Sequence, residues 1–214
     1  MRERLRHLFR EHQAGQGFEI VVASLLGIAA LATAFAAYKA SLDDGNSLQQ
    51  YNQGVALTDK ASQAYNEGTQ ELVQDQALFL EYVKAVQTDD EELAAYVQTS
   101  LMSDNLRAAV EWWADQPGDE YQTPFVDENP KYMIESYGVA DDLDKQAETA
   151  FNLGQRYDNR GDRYTLVTVI LAAALFLLGI AAVARAWVIK YGFTFIGAVF
   201  LIGSMVQTGR ILWG

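Results

Sequence analysis

The 214-residue chain contains no cysteine, so disulfide bonds, thiolate catalysis and cysteine metal ligands are all excluded. It has only two histidines, His7 and His12, and their five-residue spacing would place them about 140° apart on a helix. A histidine metal centre is therefore not expected. The net charge of −12 argues against binding to the phosphate backbone of a nucleic acid.

Motifs for common catalytic chemistry are also missing. We find no phosphate-binding loop, nucleophile elbow, zinc motif or EF-hand spacing. Two acidic runs, 89–92 and 141–144, could attract a divalent cation weakly. Capping explains them better, because each run lies at a predicted helix start, where acids interact favourably with the helix dipole. The sequence thus predicts a non-enzymatic protein with no catalytic residues, no cofactor and no metal site.

The sequence does contain three long apolar stretches, at about 18–38, 164–184 and 188–206. About twenty residues of helix cross the ~30 Å hydrocarbon core of a bilayer. We therefore predict an all-α membrane protein with transmembrane helices at 17–40, 163–187 and 188–211. The first stretch follows several arginines and resembles a cleaved signal peptide. We expect it to be retained, because it is longer than the usual apolar region of such a peptide.

The placement of lysine and arginine predicts the orientation in the membrane through the positive-inside rule. Four arginines precede the first span, and the short link between the second and third spans carries Arg185 and Lys190 without an acid. Both segments should be cytoplasmic, which places residues 41–162 and the C-terminus on the extracytoplasmic side. Residues 42–162 include 25 acidic and 7 basic side chains, a net charge of −18.

Residues 1–16 are predicted to form an amphipathic helix on the cytoplasmic surface of the membrane. At 100° per residue, the apolar face lies beside a stripe of cations that would contact anionic lipid headgroups. These lipid-surface residues are Arg2, Arg6 and Arg10. The alternative is a charged tail with little fixed structure that serves only to set the topology.

The acidic segment 41–162 is predicted to be a bundle of long helices. A turn at 43–46 would separate the first span from a helix at 47–87, which begins with a capping box at Ser47. Within it, a row of mostly large side chains recurs every seven residues from Tyr51 to Val86, which is typical of a packed helical seam. A parallel row of small residues consists of Gly54, Ala61 and Gly68.

Two further helices complete this segment. One is predicted from a capping box at Thr88 to about residue 116. The last should begin near Asp141 and continue without interruption into the second span. Its small and aromatic residues alternate four and three apart as far as Tyr164, so that one face can approach a neighbouring helix.

All three prolines lie between 117 and 130, in a segment rich in aromatic residues. Two interpretations are open. The aromatic side chains could pack this loop onto its own helices, or they could form a contact surface for a partner. The residues concerned are Trp112, Trp113, Tyr121, Phe125 and Tyr132.

Small residues follow one face of each of the first two spans. Because lipid removes the usual hydrophobic drive, such residues favour association by letting helix backbones approach closely. This seam could hold the spans of one chain together or join neighbouring protomers. It comprises Ala23, Gly27, Ala30, Ala34 and Ala37 in the first span and Thr168, Ala172 and Gly179 in the second.

The polar sequence Asn159-Arg160-Gly161-Asp162-Arg163-Tyr164 leads into two closely linked C-terminal spans. In this layout the chain resembles the three-span prokaryotic membrane proteins grouped as a domain of unknown function, DUF4337. The resemblance covers the spans and the polar lead-in but not the proline-aromatic loop. It implies a small prokaryotic membrane protein without known catalysis, and it transfers no functional residue.

These features lead to the hypothesis of a structural or accessory membrane protein. It would form a homo-oligomer or serve as a small subunit of a larger membrane complex. Its partners would be membrane lipids together with copies of itself or other membrane subunits, and not a nucleic acid. The alternative is an oligomeric ion channel whose acidic outer segment concentrates cations above a pore.

Overall fold

The computed structural model describes the backbone of residues 2–117 and 120–213 and the side chains of residues 17–117 and 120–213. The predicted lipid contacts of Arg2, Arg6 and Arg10 lie outside the described side chains. Within the described backbone all regular structure is helical, with a π-helical turn at Val97–Leu101. The five α-helices found there are α1 (Arg2–Gln87), α2 (Glu91–Tyr96), α3 (Asp104–Ala114), α4 (Glu135–Val183) and α5 (Trp187–Trp213).

Three of these helices, α1, α4 and α5, each contain a stretch long and apolar enough to cross a membrane. The prediction of an all-α chain with three such helices is therefore confirmed. The chain folds as two compact units, one made of Met1–Asn52 with Phe151–Gly214 and the other of Gln53–Ala150.

In the first unit, α1 and α4 pack along a narrow seam that repeats every seven residues. Such a repeat keeps one face of each helix directed at the other. The buried positions on α1 are mostly small, which brings the two backbones close together. They are Val22, Ala29, Ala36, Ala40, Asp43 and Ser47 on α1, and Tyr164, Val167, Leu171, Ala174, Leu178 and Ala181 on α4.

The helix α5 packs on α4 through its buried face, which includes Leu201 and Ser204. At Gly197 the helices approach so closely that a Cβ would lie 2.8 Å from Leu178 Cγ. Gly203, on the same helix, has no heavy atom within 4 Å of its Cβ position. One of the two glycines is therefore a packing requirement and the other is not.

Gly197→Val is expected to destabilise the packing of α5 on α4 by about 1–3 kcal/mol, because overpacking forces side chains and backbone to shift. Gly203→Val is the matched control, since the same side chain enters open space on the same helix. The free energy of unfolding in detergent measures both. Equal effects of the two substitutions would contradict the packing.

The predicted turn at 43–46 is wrong, because α1 continues through these residues. Tertiary contacts override the turn propensity of this sequence. Asp43 is buried and bonded to Arg160, and Ser47 is buried on the seam and not placed as a helix cap. The capping box predicted at Ser47 is therefore also wrong.

In the second unit, the buried seam of α1 is formed by the small residues of the seven-residue pattern. Gly54, Ala61 and Gly68 all belong to this unit, and all three are buried. At Gly68 a Cβ would lie 2.9 Å from the ring of Tyr137. The large residues of the neighbouring row flank this seam, and Tyr65, for example, remains 58% exposed.

The helix predicted at 88–116 is wrong as one element, since it is divided by the π-helical turn and an extended Met102. Ser103 begins α3 as its N-cap and accepts a hydrogen bond from the Leu106 amide at 3.1 Å. The Arg107 guanidinium donates to the carbonyls of Gln98 and Met102, at 3.1 and 3.2 Å. These bonds satisfy carbonyl groups that the break would otherwise leave without partners.

The junction before α2 also differs from the predicted capping box at Thr88. Asp89 adopts a left-handed conformation with φ of 57°. The Asp90 amide then donates to the Ala85 carbonyl and the Asp89 amide to the Val86 carbonyl, which is a Schellman ending for α1. Asp90, not Thr88, caps α2.

The last predicted helix is confirmed as a continuous element, because α4 runs from Glu135 to Val183 without a break. It begins about two turns earlier than expected and ends before the predicted residue 187. Its predicted face is also correct. Ala147, Ala150, Gly154 and Gly161 are buried in their respective units.

Candidate functional site

In the first unit, an ion pair between Asp43 and Arg160 joins α1 to α4. Arg160 Nε donates to Asp43 Oδ2 at 2.7 Å, and Nη2 donates to Oδ1 at 2.5 Å. Asp43 is 2% exposed, whereas about half of the Arg160 side chain reaches solvent. The Arg160 guanidinium also lies 5.1 Å from the centre of the Tyr157 ring.

This geometry keeps Arg160 charged and oriented. The hydrogen bonds from the guanidinium to Asp43 raise the pKa of Arg160 above its ordinary value, against the opposing effect of burial. Two parallel hydrogen bonds to one carboxylate also fix its direction, which a lysine could not do. Gly161 makes room beside the pair, since a Cβ there would lie 2.5 Å from Asp44 Oδ1. The arrangement is a clamp between two helices.

The predicted small-residue seam of the first span is not part of the packing within the chain. All five of its residues are exposed, and the Cβ position of Gly27 has no neighbour within 4 Å. At 100° per residue this face lies about 120° around the helix from the buried seam. The interpretation that it packs the spans of one chain together is therefore wrong. The exposed residues are Ala23, Gly27, Ala30, Ala34 and Ala37.

The residues predicted on the second span are only partly buried. Thr168 and Gly179 are half-buried and Ala172 is exposed. The Thr168 hydroxyl donates to the carbonyl of Tyr164, so its hydrogen-bonding need is met within α4. Thr168, Ala172 and Ala37 line one groove of about 420 Å³ between α1 and α4. Of the predicted seam residues, these three border a common groove.

In the second unit the predicted aromatic residues form a cluster with Phe79 of α1. The Phe79 ring makes edge-to-face contacts with Trp113 at 5.1 Å and with Phe125 at 5.7 Å. Phe125 contacts Tyr132 at 4.9 Å, and Trp112 contacts Tyr121 at 5.4 Å. Such pairs stabilise packing by roughly 0.5–1.5 kcal/mol each beyond the area they bury.

The cluster therefore packs the loop onto its helices, as one of the two interpretations predicted. The indole of Trp113 donates to the Tyr121 carbonyl at 2.7 Å. None of the five predicted contact residues is fully buried, however. Phe125 and Tyr132 line an open groove, and Trp113 and Tyr121 line a smaller one of about 460 Å³. A role in partner contact stays a prediction.

Behind this cluster lies a buried carboxylate that the sequence reasoning missed. Asp75 is 4% exposed and occupies the seven-residue seam of α1 after Ala61 and Gly68. Tyr132 Oη donates to its Oδ2 at 3.0 Å. Burial raises the pKa of Asp75 and outweighs the opposing effect of this hydrogen bond. The pKa of Tyr132 is raised too, by burial and by the nearby carboxylate.

Asp75→Asn is expected to make the second unit less sensitive to pH. A carboxyl group whose folded pKa is raised stabilises the fold when protonated, and that contribution is lost as the pH rises above its ordinary value of 3.8. Asparagine can still accept the Tyr132 hydrogen bond without a charge. The variant should therefore be at least as stable as the parent at pH 7, with a flatter dependence between pH 4 and 7.

Chemical unfolding of the full chain in detergent at several pH values measures this effect. Replacing Trp187 and Trp213 by phenylalanine leaves tryptophan fluorescence only in the second unit. Asp59→Asn, at an exposed position of α1, is the control. A loss of stability at pH 7 in Asp75→Asn that Asp59→Asn does not show would contradict this assignment.

The sequence carried a weak signal for these polar groups. Asp43 lies in a sequence typical of a turn, and Arg160 lies in the polar segment 159–164. No local pattern indicated that two residues so far apart in sequence would be in contact. Asp75 occupies the same heptad position as Gly68, so a charged residue on a small-residue seam was the available clue. Among the residues that the structure describes, no group of three or more His, Asp or Glu side chains could hold a metal ion.

The fold indicates the class of the protein: three of its helices are long and apolar enough to cross a membrane, as expected for a multi-pass membrane protein. No protein-family model, curated protein or solved structure matches the chain. The resemblance to DUF4337 proteins stays a prediction, so any function has to be argued from the residues themselves.

Proposed function

We propose that this chain is a non-enzymatic structural protein of the membrane that associates with copies of itself through the exposed small-residue face of α1. The observation that carries the proposal is the exposure of that whole face in the single chain. Its five residues lie four and three apart, as in helices that pair closely in lipid.

A second copy is the partner that this face fits best. A narrow face on one helix can pair with the same face of another copy across a two-fold axis. The small side chains let the backbones approach, and contact with another helix then supplies dispersion energy that lipid chains provide less well. The groove shared with Thr168 and Ala172 extends the same surface onto α4.

The orientation follows from the distribution of charge. We place the N-terminus and the link between α4 and α5 in the cytoplasm, with residues 41–162 and the C-terminus outside. Because the chain has no cysteine, single cysteines can test this cleanly. On intact cells a membrane-impermeant maleimide should label Ser100→Cys but not Ala186→Cys. Labelling of Ala186→Cys without permeabilisation would contradict this orientation.

The mass of the purified protein in mild detergent or lipid nanodiscs tests self-association. Protein of 23.8 kDa should be found as a defined multiple of that mass, with no other polypeptide in the complex. A strict monomer in both environments would refute the proposal. A stoichiometric complex with a different protein would replace it with the accessory-subunit form of the hypothesis.

A further inference from the structure

An open groove of about 1180 Å³ lies in the second unit, between α1, the start of α4 and the loop segment 125–134. Pockets for small molecules typically measure roughly 300–1,000 Å³ and enclose most of the ligand. This groove is larger and open along one side. Its volume and its open side therefore suit an extended polypeptide segment better than a small molecule.

The loop wall of the groove is held in place by two asparagines. Asn105 donates to the Met133 carbonyl at 3.0 Å and accepts from the Met133 amide at 3.2 Å, as a neighbouring β-strand would. Buried Asn129 donates to the Pro124 carbonyl at 2.8 Å and accepts from the Lys131 amide at 3.0 Å. A wall fixed by hydrogen bonds within the chain is preorganised, which lowers the entropic cost of binding.

The groove offers apolar and aromatic surface along its length. Phe125, Tyr132 and Tyr137 line it together with Leu72 of α1. Met133 also lines it and is 75% exposed, although its backbone is fixed by Asn105. A flexible thioether on a rigid backbone is suited to contact with varied apolar side chains.

The charge of the groove indicates the charge of its ligand. Four carboxylates line it, against the single cation of Lys131, and the complete unit 53–150 has 21 acidic and 5 basic residues. Within the described side chains, three of the four carboxylates take part in no ion pair, whereas Asp142 lies 3.7 Å from Lys145. These three are Glu71, Asp127 and Glu135.

We propose that this groove binds an extended segment of a partner protein in which lysine or arginine alternates with apolar side chains. In an extended segment successive side chains point to opposite sides, so apolar groups can contact the aromatic side chains of the groove while cations contact its carboxylates. The negative charge of the unit repels anionic segments and accelerates encounter with cationic ones. This inference does not depend on self-association of α1.

A fluorescently labelled, end-capped peptide of alternating lysine and leucine is the probe. Its binding to the purified full-length protein in neutral detergent is followed by fluorescence anisotropy at physiological salt. The Glu71→Gln/Glu135→Gln variant should bind it about tenfold more weakly than the parent. The control is Glu91→Gln/Glu92→Gln, which makes the same change in net charge at exposed positions of α2 and should bind within about twofold of the parent.

Two further measurements separate a specific groove from general attraction. A lysine-serine peptide of equal length should bind at least tenfold more weakly than the lysine-leucine peptide. Met133→Ala should weaken the binding of the lysine-leucine peptide but not that of the lysine-serine peptide. Equal loss of affinity in both glutamine variants, equal affinity for both peptides, or no binding would overturn the proposal. Each variant sits at a position with solvent access, and an unchanged unfolding transition confirms its fold.

Discussion

Arg160→Ala is expected to lower the free energy of unfolding by about 3 kcal/mol, because it leaves a buried carboxylate without its partner. The reason is the buried partner. Without the guanidinium, the carboxylate of Asp43 stays in a site that is 2% exposed and loses both of its charge-assisted hydrogen bonds. Titration of the detergent-solubilised protein with a denaturing detergent measures the change.

Three comparisons make this test specific. Arg156→Ala removes an exposed arginine one turn earlier on α4 and should cost less than about 0.5 kcal/mol. Arg160→Lys should recover only part of the loss, because an ammonium group cannot reproduce the two parallel bonds. The Asp43→Ala/Arg160→Ala double variant should lose less than the sum of its single variants. If Arg160→Ala and Arg156→Ala lower the free energy of unfolding equally, the clamp contributes little to stability.

Gly27→Ile is expected to weaken self-association at least tenfold while leaving the fold of the single chain intact. The Cβ position of Gly27 has open space around it, so the added side chain meets nothing within its own chain. Between two copies, however, it would separate the helix backbones where the small-residue faces meet. The dissociation constant in detergent or in lipid nanodiscs, measured over a range of protein-to-lipid ratios, reports the change.

The matched control for this substitution is Gly203→Ile. Gly203 also lies in a span and also has open space at its Cβ position, but it belongs to α5. It should leave the dissociation constant within about twofold of the parent. If both substitutions weaken association equally, the effect comes from general crowding in the spans. If neither does, the face of α1 is not the interface.

The long-range arrangement of helices was accessible from the sequence because it depends on repeating patterns. Uncharged stretches of about twenty residues predicted the three long apolar helices. The four-and-three spacing of small residues predicted the buried face of α4 from Ala147 to Gly161, and the absence of a helix stop predicted its continuity. Each of these patterns repeats along the chain, so the prediction does not depend on any single residue.

Features decided by one contact between distant residues were not accessible. Asp43 and Asp44 before Gly45 are typical of a turn, and only the contact with Arg160 explains why the helix continues there. The division of the 88–116 segment depends on Ser103 acting as a cap and Arg107 covering free carbonyls.

The choice between neighbouring helix faces was also beyond the sequence. Ala36 and Ala37 are equally small, yet one is buried against α4 and the other is exposed. Either face could have packed within the chain, since small residues permit close approach without specifying the partner. The packing of α4 and α5 determines which face is buried, and the face that contains Ala37 remains exposed.

Disulfide crosslinking of single-cysteine variants in native membranes tests the central claim most directly. The parent chain has no cysteine, so every crosslink must come from the introduced residue. Ala30→Cys lies at the middle of the small-residue face, and Ile28→Cys lies on a different exposed face of the same helix. Self-association through this face predicts a covalent dimer of Ala30→Cys under mild oxidation and little or none of Ile28→Cys. No dimer from Ala30→Cys, or equal amounts from both variants, would contradict it.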